Sequence, residues 1–316
     1  MAVDASNNLI ISEDRDANNK WTPLKYDGTN WLPLGILNST EVEEHYQIGL
    51  DNAGNVYLAV WHADAITNSS NLYYIARYNG TWTMVGPDDL ASVSNTSSGM
   101  PFVVTPDGTI YSNFLLMSDL QNHNVIWNGS VWVQDVQQYT DGTGQVVSLD
   151  RPLVSDPSGN VFSLGRQNSD KFVVSKGNSA SWQNIGFPYD VFLPVQMILG
   201  ASACDQAGNL YIATSVYNTA TGNYEDIKVS KWDGSAWTIL DGINANGIVN
   251  SLAVGTNGHV YAAGKFTNAS GKNYVAEWNG SSWAELGGNN GLGANDEILS
   301  LATDTRGYVY AGGAFT

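Results

Sequence analysis

The sequence predicts an all-β fold made of one short unit repeated along the chain. Three observations predict it: a glycine turn recurring about every fifty residues, a second aromatic-flanked Asn-Gly or Asp-Gly turn after it, and a composition rich in Gly (33), Trp (11) and Tyr (16) with only 14% charged residues. Short strands joined by tight turns need that mixture; helices do not.

The first turn reads Asp-x-x-Gly-Asn-Val-Tyr. It stands as Asp51-Asn-Ala-Gly-Asn-Val-Tyr57, Asp156-Pro-Ser-Gly-Asn-Val-Phe162, Asp205-Gln-Ala-Gly-Asn-Leu-Tyr211 and Asp304-Thr-Arg-Gly-Tyr-Val-Tyr310. Looser copies begin at Asp4, where Asn7 replaces the glycine, and at Thr105 and Gly255. The starts at 4, 51, 105, 156, 205, 255 and 304 are spaced by 47, 54, 51, 49, 50 and 49 residues. An Asp side chain can bond the main chain two residues on, and Gly takes the left-handed position.

The second turn follows as Tyr26-Asp-Gly-Thr-Asn-Trp31, Tyr78-Asn-Gly-Thr-Trp82, Trp127-Asn-Gly-Ser-Val-Trp132, Trp232-Asp-Gly-Ser-Ala-Trp237 and Trp278-Asn-Gly-Ser-Ser-Trp283. The fourth copy, Lys176-Gly-Asn-Ser-Ala-Ser-Trp182, is degenerate. Asn-Gly between aromatics predicts a type I′ hairpin with two central residues at positive φ. Each unit then holds four strands, placed in the sixth at 248–254, 259–266, 274–278 and 282–286.

Four antiparallel strands repeated radially make a β-propeller blade, buried on both faces by its neighbours. Seven second strands but six outer pairs predict seven blades with the last incomplete; the alternative is six. The whole of 1–316 reads as one propeller domain, a fragment of a longer repetitive chain. The recurrent Trp31, Trp82, Trp132, Trp182, Trp237 and Trp283 read as packing residues between blades.

Val260-Tyr-Ala-Ala-Gly264, a polar loop, Tyr274-Val-Ala-Glu-Trp278 and Trp283 together resemble the kelch repeat. Val309-Tyr-Ala-Gly-Gly313 carries the double glycine of that repeat in full. The later units are also similar to the repetitive secreted surface proteins of Bacteroidota. That resemblance implies a propeller fold and an extracellular or cell-surface location, with the signal peptide outside this chain. It implies no single activity, since propellers host many.

Charge narrows the partners. With 30 acidic against 13 basic residues the chain carries −17, which repels nucleic acid and anionic lipid. No run of 18 apolar residues predicts a membrane span. Cys204 is the only cysteine, so no intrachain disulfide forms and a multi-thiolate zinc site is excluded. Its run of small residues places it in a strand.

Catalytic chemistry finds little to stand on. His45, His62, His123 and His259 lie in four different units, and His45 with His62 lacks a third ligand. The kelch-type copper radical oxidases need a Cys–Tyr cofactor with histidines, and Cys204 has no His near it in sequence. A sialidase needs its Asp-box spacing and three arginines on the substrate carboxylate. Residues 154–162 miss the spacing. The expectation is therefore no enzyme, no catalytic residue, no metal and no cofactor.

The connections between strands two and three, and between four and one, look long and irregular: 61–71, 86–99, 136–145, 186–199, 217–225 and 287–297. Alternate connections of an antiparallel meander emerge on one face, and variable loops on a rigid scaffold carry recognition. The candidate ligand-binding residues there are Trp61, His62, Phe187, Tyr189, Asp190, Phe192, Tyr217, Tyr224, Glu225 and Asp226. Aromatic faces beside carboxylates suit a sugar. The expected function is a non-catalytic binding or adhesion module with a glycan or another surface protein as partner. The alternatives are a structural spacer and, third, a glycoside hydrolase or oxidase.

Overall fold

The computed structural model describes residues 1–12, 22–35, 43–63, 71–86, 101–116, 121–135, 138–168, 171–189, 197–288 and 291–316. Among them there is no α-helix. The strands form consecutive antiparallel meanders. Blade I is β1–β4 (Ala2–Val3, Leu9–Ile11, Leu24–Tyr26, Trp31–Pro33), and blade II is β5–β8 (Glu43–Leu50, Val56–Ala63, Asn71–Tyr78, Trp82–Met84). Blade III is β9–β12 (Phe102–Val104, Ile110–Leu116, Gln121–Trp127, Trp132–Gln134). Blade IV has a fifth strand and is β13–β17 (Gln138–Thr140, Val146–Ser155, Val161–Gln167, Lys171–Gly177, Trp182–Gly186). Blade V is β18–β21 (Met197–Cys204, Leu210–Asn218, Asn223–Trp232, Trp237–Ile239). Blade VI is β22–β25 (Val249–Val254, Val260–Gly264, Ala276–Trp278, Trp283–Glu285). The seventh repeat contributes a two-stranded sheet, β26–β27 (Ile298–Thr303, Val309–Gly313).

The fold is thus an all-β, six-bladed β-propeller, with six complete blades as the alternative count had it. Packing gathers the residues into two compact units, Met1–Ser169 with Val174–Ile185, and Asp170–Val173 with Gly186–Thr316.

The Asp-x-x-Gly turn works through its carboxylate. In the second repeat Asp51 Oδ1 accepts from the Asn55 main-chain N–H at 2.9 Å, while Oδ2 accepts from Asn55 Nδ2 at 2.6 Å and from the Tyr57 hydroxyl at 3.0 Å. The Gly54 N–H closes the turn on the Asp51 carbonyl at 3.1 Å, with Gly54 at φ 82°. Asp205 repeats the set with Asn209 and Tyr211. Where the tyrosine becomes Phe162, Lys176 takes its place and pairs with Asp156 at 2.8 Å. In the first repeat Lys25 does the same for Asp4 at 2.7 Å, and Asn7 adopts φ 62° in the absence of glycine.

Between blades, the tryptophans lock by their indole N–H. Trp82 donates to the Leu34 carbonyl at 2.9 Å, Trp132 to Val85 at 3.1 Å and Trp283 to Leu240 at 2.9 Å. In each case the acceptor lies three residues after the previous blade's own Trp. Around these bonds the cores form. Tyr57, Ile75, Phe102, Ile110 and Val125 pack blade II on III, and Tyr211, Val229, Leu240, Leu252 and Phe266 pack V on VI. Trp31 departs from the expected packing role: it is 47% exposed and its ring meets Tyr26.

The second turn differs from the type I′ expectation. Cross-strand aromatic pairs such as Trp278↔Trp283 leave four residues between them. Only the glycine, Gly280 at φ 100°, is left-handed. The Asn279 side chain instead accepts from the Ser281 and Ser282 N–H groups, both at 3.0 Å, which spares Asn the unfavourable φ. The degenerate copy keeps the same side-chain bonds, with Asn178 accepting from the Ala180 and Ser181 N–H groups. There Gly177 replaces the aromatic because Trp182 lies over it: a β-carbon at Gly177 would stand 2.8 Å from the indole. Trp182 tilts onto Tyr111, and its Nε1 is buried with no protein acceptor among the described residues.

Two predictions follow from these contacts. Burial pushes the Asp156 carboxyl up, but hydrogen bonds from Lys176 and Asn160 outweigh it and the net direction is down; Asp4 behaves alike with Asn8 and Lys25. Depressed carboxylates contribute stability that is full above their unfolded value of about 3.9 and is lost as pH falls through the folded value. The urea midpoint should therefore hold steady above about pH 5 and fall below about pH 4, with a shallower acid-side fall in Asp156→Asn. Second, Trp283→Phe removes a made hydrogen bond and Trp182→Phe removes an unmade one. Denaturation should show Trp283→Phe the costlier by about 1 kcal/mol or more.

Candidate functional site

Eight of the ten expected residues belong to blade V or the segment leading into it, and two, Trp61 and His62, to β6 of blade II. The structure sorts the described ones into two groups. Asp190 and Phe192 lie outside the described residues, as do the side chains of Trp61 and His62 on β6. The other six are described, and all belong to the second unit.

Phe187 and Tyr189 follow β17 and turn inward. Their rings meet edge-on at 5.4 Å, and Phe187 also reaches Trp237 at 6.4 Å. The Tyr189 hydroxyl hydrogen-bonds the buried Thr214 hydroxyl on β19, and Lys228 Nζ sits 4.7 Å over the Tyr189 ring. Asp226 forms an ion pair with Lys228. Burial raises the Tyr189 phenol above its ordinary range. These contacts make Phe187 and Tyr189 a plug on the face of blade V, with the Tyr189 hydroxyl already engaged.

The second group is a platform. The segment 217–225, expected as a long loop, is the end of a hairpin: Tyr217 pairs with Tyr224 and Asn218 with Asn223, so β19 and β20 continue almost to its tip. Their extension has a local cause. The Gly222 N–H closes the tip on the Asn218 carbonyl at 2.8 Å, and the Asn218 Oδ1 accepts from Ala220 N–H at 2.9 Å. Gly222 takes φ 72°, as such a closure needs. A bulge between Thr214 and Val216 puts Asp226 at φ 51° and resets the register beyond it.

At that tip the Tyr217 and Tyr224 rings lie 5.2 Å apart, tilted by 51°, and each is half-buried. Glu225 is exposed beside them. Asn218 Nδ2 donates to both of its oxygens at 3.1 Å, and the Thr221 hydroxyl donates at 3.0 Å. The carboxylate is held in place but keeps acceptor capacity toward solvent. Asn218 and Thr221 went unnoticed in the sequence, although Asn218-x-x-x-Gly222 at a strand end marks the turn that positions them.

Elsewhere in the second unit the connections serve the fold. Asn246 and Thr267 exchange two hydrogen bonds, Thr267 N–H to Asn246 Oδ1 at 2.8 Å and Asn246 Nδ2 to Thr267 Oγ1 at 3.2 Å. Asn295 and Thr316 repeat that latch at 2.9 and 3.1 Å. Buried Asn273 donates to the Gly264 and Phe266 carbonyls, and its main chain pairs with Ala294. In the first unit, 136–145 contains the fifth strand of blade IV and an eighth Asp-x-x-Gly turn at Asp141. Asp141 accepts from Thr143, Gln145, Gln167 and Asn184, and the Thr143 hydroxyl bond foremost lowers its carboxyl to about 2. His259 is less free than a plain surface residue, with Nδ1 2.8 Å from Glu277. Cys204 lies partly buried in β18.

Among the described residues no group of three or more His, Cys, Asp or Glu side chains is placed to hold a metal. No helix there is long and apolar enough to cross a membrane.

No protein-family model and no curated protein sequence matches the chain. Solved structures do match its fold. A polysaccharide lyase, an ulvan lyase, is similar with a TM-score of 0.56 at 10% identity, over 95% of this chain and 84% of that one. PorZ, a surface component of the type-IX secretion system of Porphyromonas gingivalis, is similar with a TM-score of 0.56 at 13% identity. That match takes in 99% of this chain, which spans 45% of PorZ. The fungal Aleuria aurantia lectin, a six-bladed β-propeller with fucose recognition, aligns with a TM-score of 0.47 at 14% identity over 90% of this chain and 91% of its own.

The plug makes one prediction. Tyr189→Phe removes the bond to Thr214 and strands a buried hydroxyl, so it should lower stability by about 1–2 kcal/mol in urea denaturation.

Proposed function

We propose that this chain is a non-catalytic, carbohydrate-binding propeller, kelch-like in its repeat, displayed outside the cell as part of a larger surface or adhesion protein. The observation that carries the reading is the tip of the β19–β20 hairpin, where Tyr217 and Tyr224 flank a carboxylate fixed by Asn218 and Thr221. A pyranose has one face of C–H groups and a rim of hydroxyls. Half-buried rings offer the first a stacking surface at little entropic cost, and Glu225 accepts hydrogen bonds from the second. The ulvan lyase shares the fold and acts on a polysaccharide, but at 10% identity it supports the architecture only.

Binding without turnover fits the carboxylates at this tip. Glycoside hydrolysis commonly needs a pair of carboxyl groups flanking the scissile bond, one of them an acid. Here Glu225 is held by Asn218 and Thr221, and Asp226 is engaged by Lys228. The spacer reading has an observation of its own: the repeated Asn–Thr latch commits two neighbouring connections to holding the repeat together.

A glycan array followed by titration of the tyrosine and tryptophan fluorescence separates the two. The Tyr217→Ala, Tyr224→Ala double variant should bind its best glycan about tenfold or more weakly, a loss of ~1.4 kcal/mol or greater. Tyr189→Phe, being in the plug, should bind as the parent does. Retained affinity in the double variant, or no binding to any glycan, moves the assignment to the spacer. Released products from a bound oligosaccharide would make the protein an enzyme.

A further inference from the structure

One main-chain bond recurs in the outer half of the blades. The N–H three residues after a blade's Trp donates to a carbonyl at the third strand. It joins Leu34 to Pro23 at 2.9 Å, and Val85 to Ile75, Leu240 to Val229 and Leu286 to Val275 at 2.8 Å. Both ends are apolar each time. Blade III makes the same bond at 2.8 Å between Asp135 and Asn124, and both of these residues are buried. Across the joint, on β15 of blade IV, Ser163 is buried at the position that Leu58, Ile212 and Ala262 hold in other blades.

The three polar exceptions meet at one place. With Ser112 and Trp182 they line a cavity between blades III and IV, whose volume for a guest the size of water is about 10 Å³. Polar groups buried where the repeat keeps apolar ones are destabilising unless their atoms find partners. Asn124 has found them: Nδ2 donates to the Leu149 carbonyl of blade IV and Oδ1 accepts from Asn113 Nδ2, both at 2.7 Å. Trp182 has not. At three other joints the indole donates to the carbonyl three residues after the preceding Trp, a position that here belongs to Asp135. Trp182 Nε1 is buried and makes no such bond.

We propose that this cavity is the binding site of one buried water, which accepts from the Trp182 indole N–H and donates to the Asp135 carboxylate and the Ser163 hydroxyl. The guest must accept on one side and donate on the other. A cation cannot accept from the indole, an anion is repelled by the carboxylate, and an apolar guest leaves both unmet. The volume suits one water, and three bonds are the usual number for a buried one. Asn124 thus ties the joint directly, and the water ties it where the indole makes no direct bond. A bond through water is partly offset by the entropy of holding that water, so Trp283→Phe remains the costlier of the two indole substitutions. The site is independent of the glycan reading, since it uses none of the residues at the blade V tip.

A high-resolution crystal structure of the full chain should show one water within hydrogen-bonding reach of Trp182 Nε1 and an Asp135 oxygen. In solution the probe is water itself, followed by oxygen-17 relaxation dispersion. That measurement reports water molecules held for longer than the protein tumbles, and it is blind to exchanging hydroxyl protons. Asp135→Leu places the residue that Leu34, Leu240 and Leu286 already are at this position, so the variant should fold. Its dispersion should fall by about one water per molecule. Asp135→Asn keeps an acceptor and should hold the water. Unchanged dispersion in Asp135→Leu would overturn the proposal, as would an indole bonded directly to a protein oxygen in the crystal. Loss of the guest in Asp135→Asn as well would also overturn it, making the guest a cation held by charge.

Discussion

The aspartate carboxylate of the first turn is the contact on which the rest of each blade depends. It collects main-chain N–H groups that a tight turn leaves without partners, then an Asn side chain four residues on and a Tyr hydroxyl six residues on. The tyrosine is drawn into the blade by this bond, and Tyr57 is pushed up to about 12, first by burial and then by the charge of Asp51. One side chain thus sets the turn, the start of the second strand and the place of a core aromatic. Substitution at the sixth position shows what the carboxylate requires: when Phe162 brings no hydroxyl, Lys176 on β16 supplies the missing donor and also lies over the Phe162 ring. A buried carboxylate must be paired, whichever strand the partner comes from.

What ties one blade to the next is more conservative. The Trp indole reaches a carbonyl of the preceding blade, and hydroxyls do similar work at the first strands, Ser155 to Val104 and Thr303 to Val254, both at 2.9 Å. Such bonds use main-chain acceptors, so the side chain at the acceptor position is free to vary. Position and not identity is what matters there. Blade V carries its hairpin on through a bulge at Thr214–Val216, beyond which pairing resumes and continues to Asn218 and Asn223. The residues at its tip then stand on paired strands, which hold geometry better than an open loop.

Much of the fold could be read in the chain because its determinants are local. Asp51 to Tyr57 is a seven-residue machine, and seven such segments at near-constant spacing define strands one and two. The errors came where local chemistry has more than one solution. Asn-Gly suggested two left-handed residues, but the Asn279 side chain bonds the turn itself and leaves the strain to Gly280. The segment 136–145 looked irregular because its strand, Gln138–Thr140, is short and its Asp141 turn falls out of the fifty-residue phase. Residues 217–225 looked like a loop because Tyr217 and Tyr224 alternate with polar residues that face solvent, and only their mutual pairing shows that they belong to strands.

The sequence by itself determined the all-β class, the four-strand unit, the carboxylate turns and the packing role of the recurrent tryptophans apart from the exposed Trp31. Each of these rests on bonds between residues close in the chain or on a pattern repeated often enough to average out exceptions. The tertiary structure decided how the aromatic residues of blade V divide. Phe187 and Tyr189 are near Tyr217 in sequence and equally aromatic, yet Thr214 and Lys228 use up the polar atom and the ring face of Tyr189, while Tyr217 and Tyr224 keep theirs half-open. Whether an aromatic ring is core or platform depends on which side chains from other strands reach it first, and that is set by register and twist between strands, which no single stretch of sequence carries.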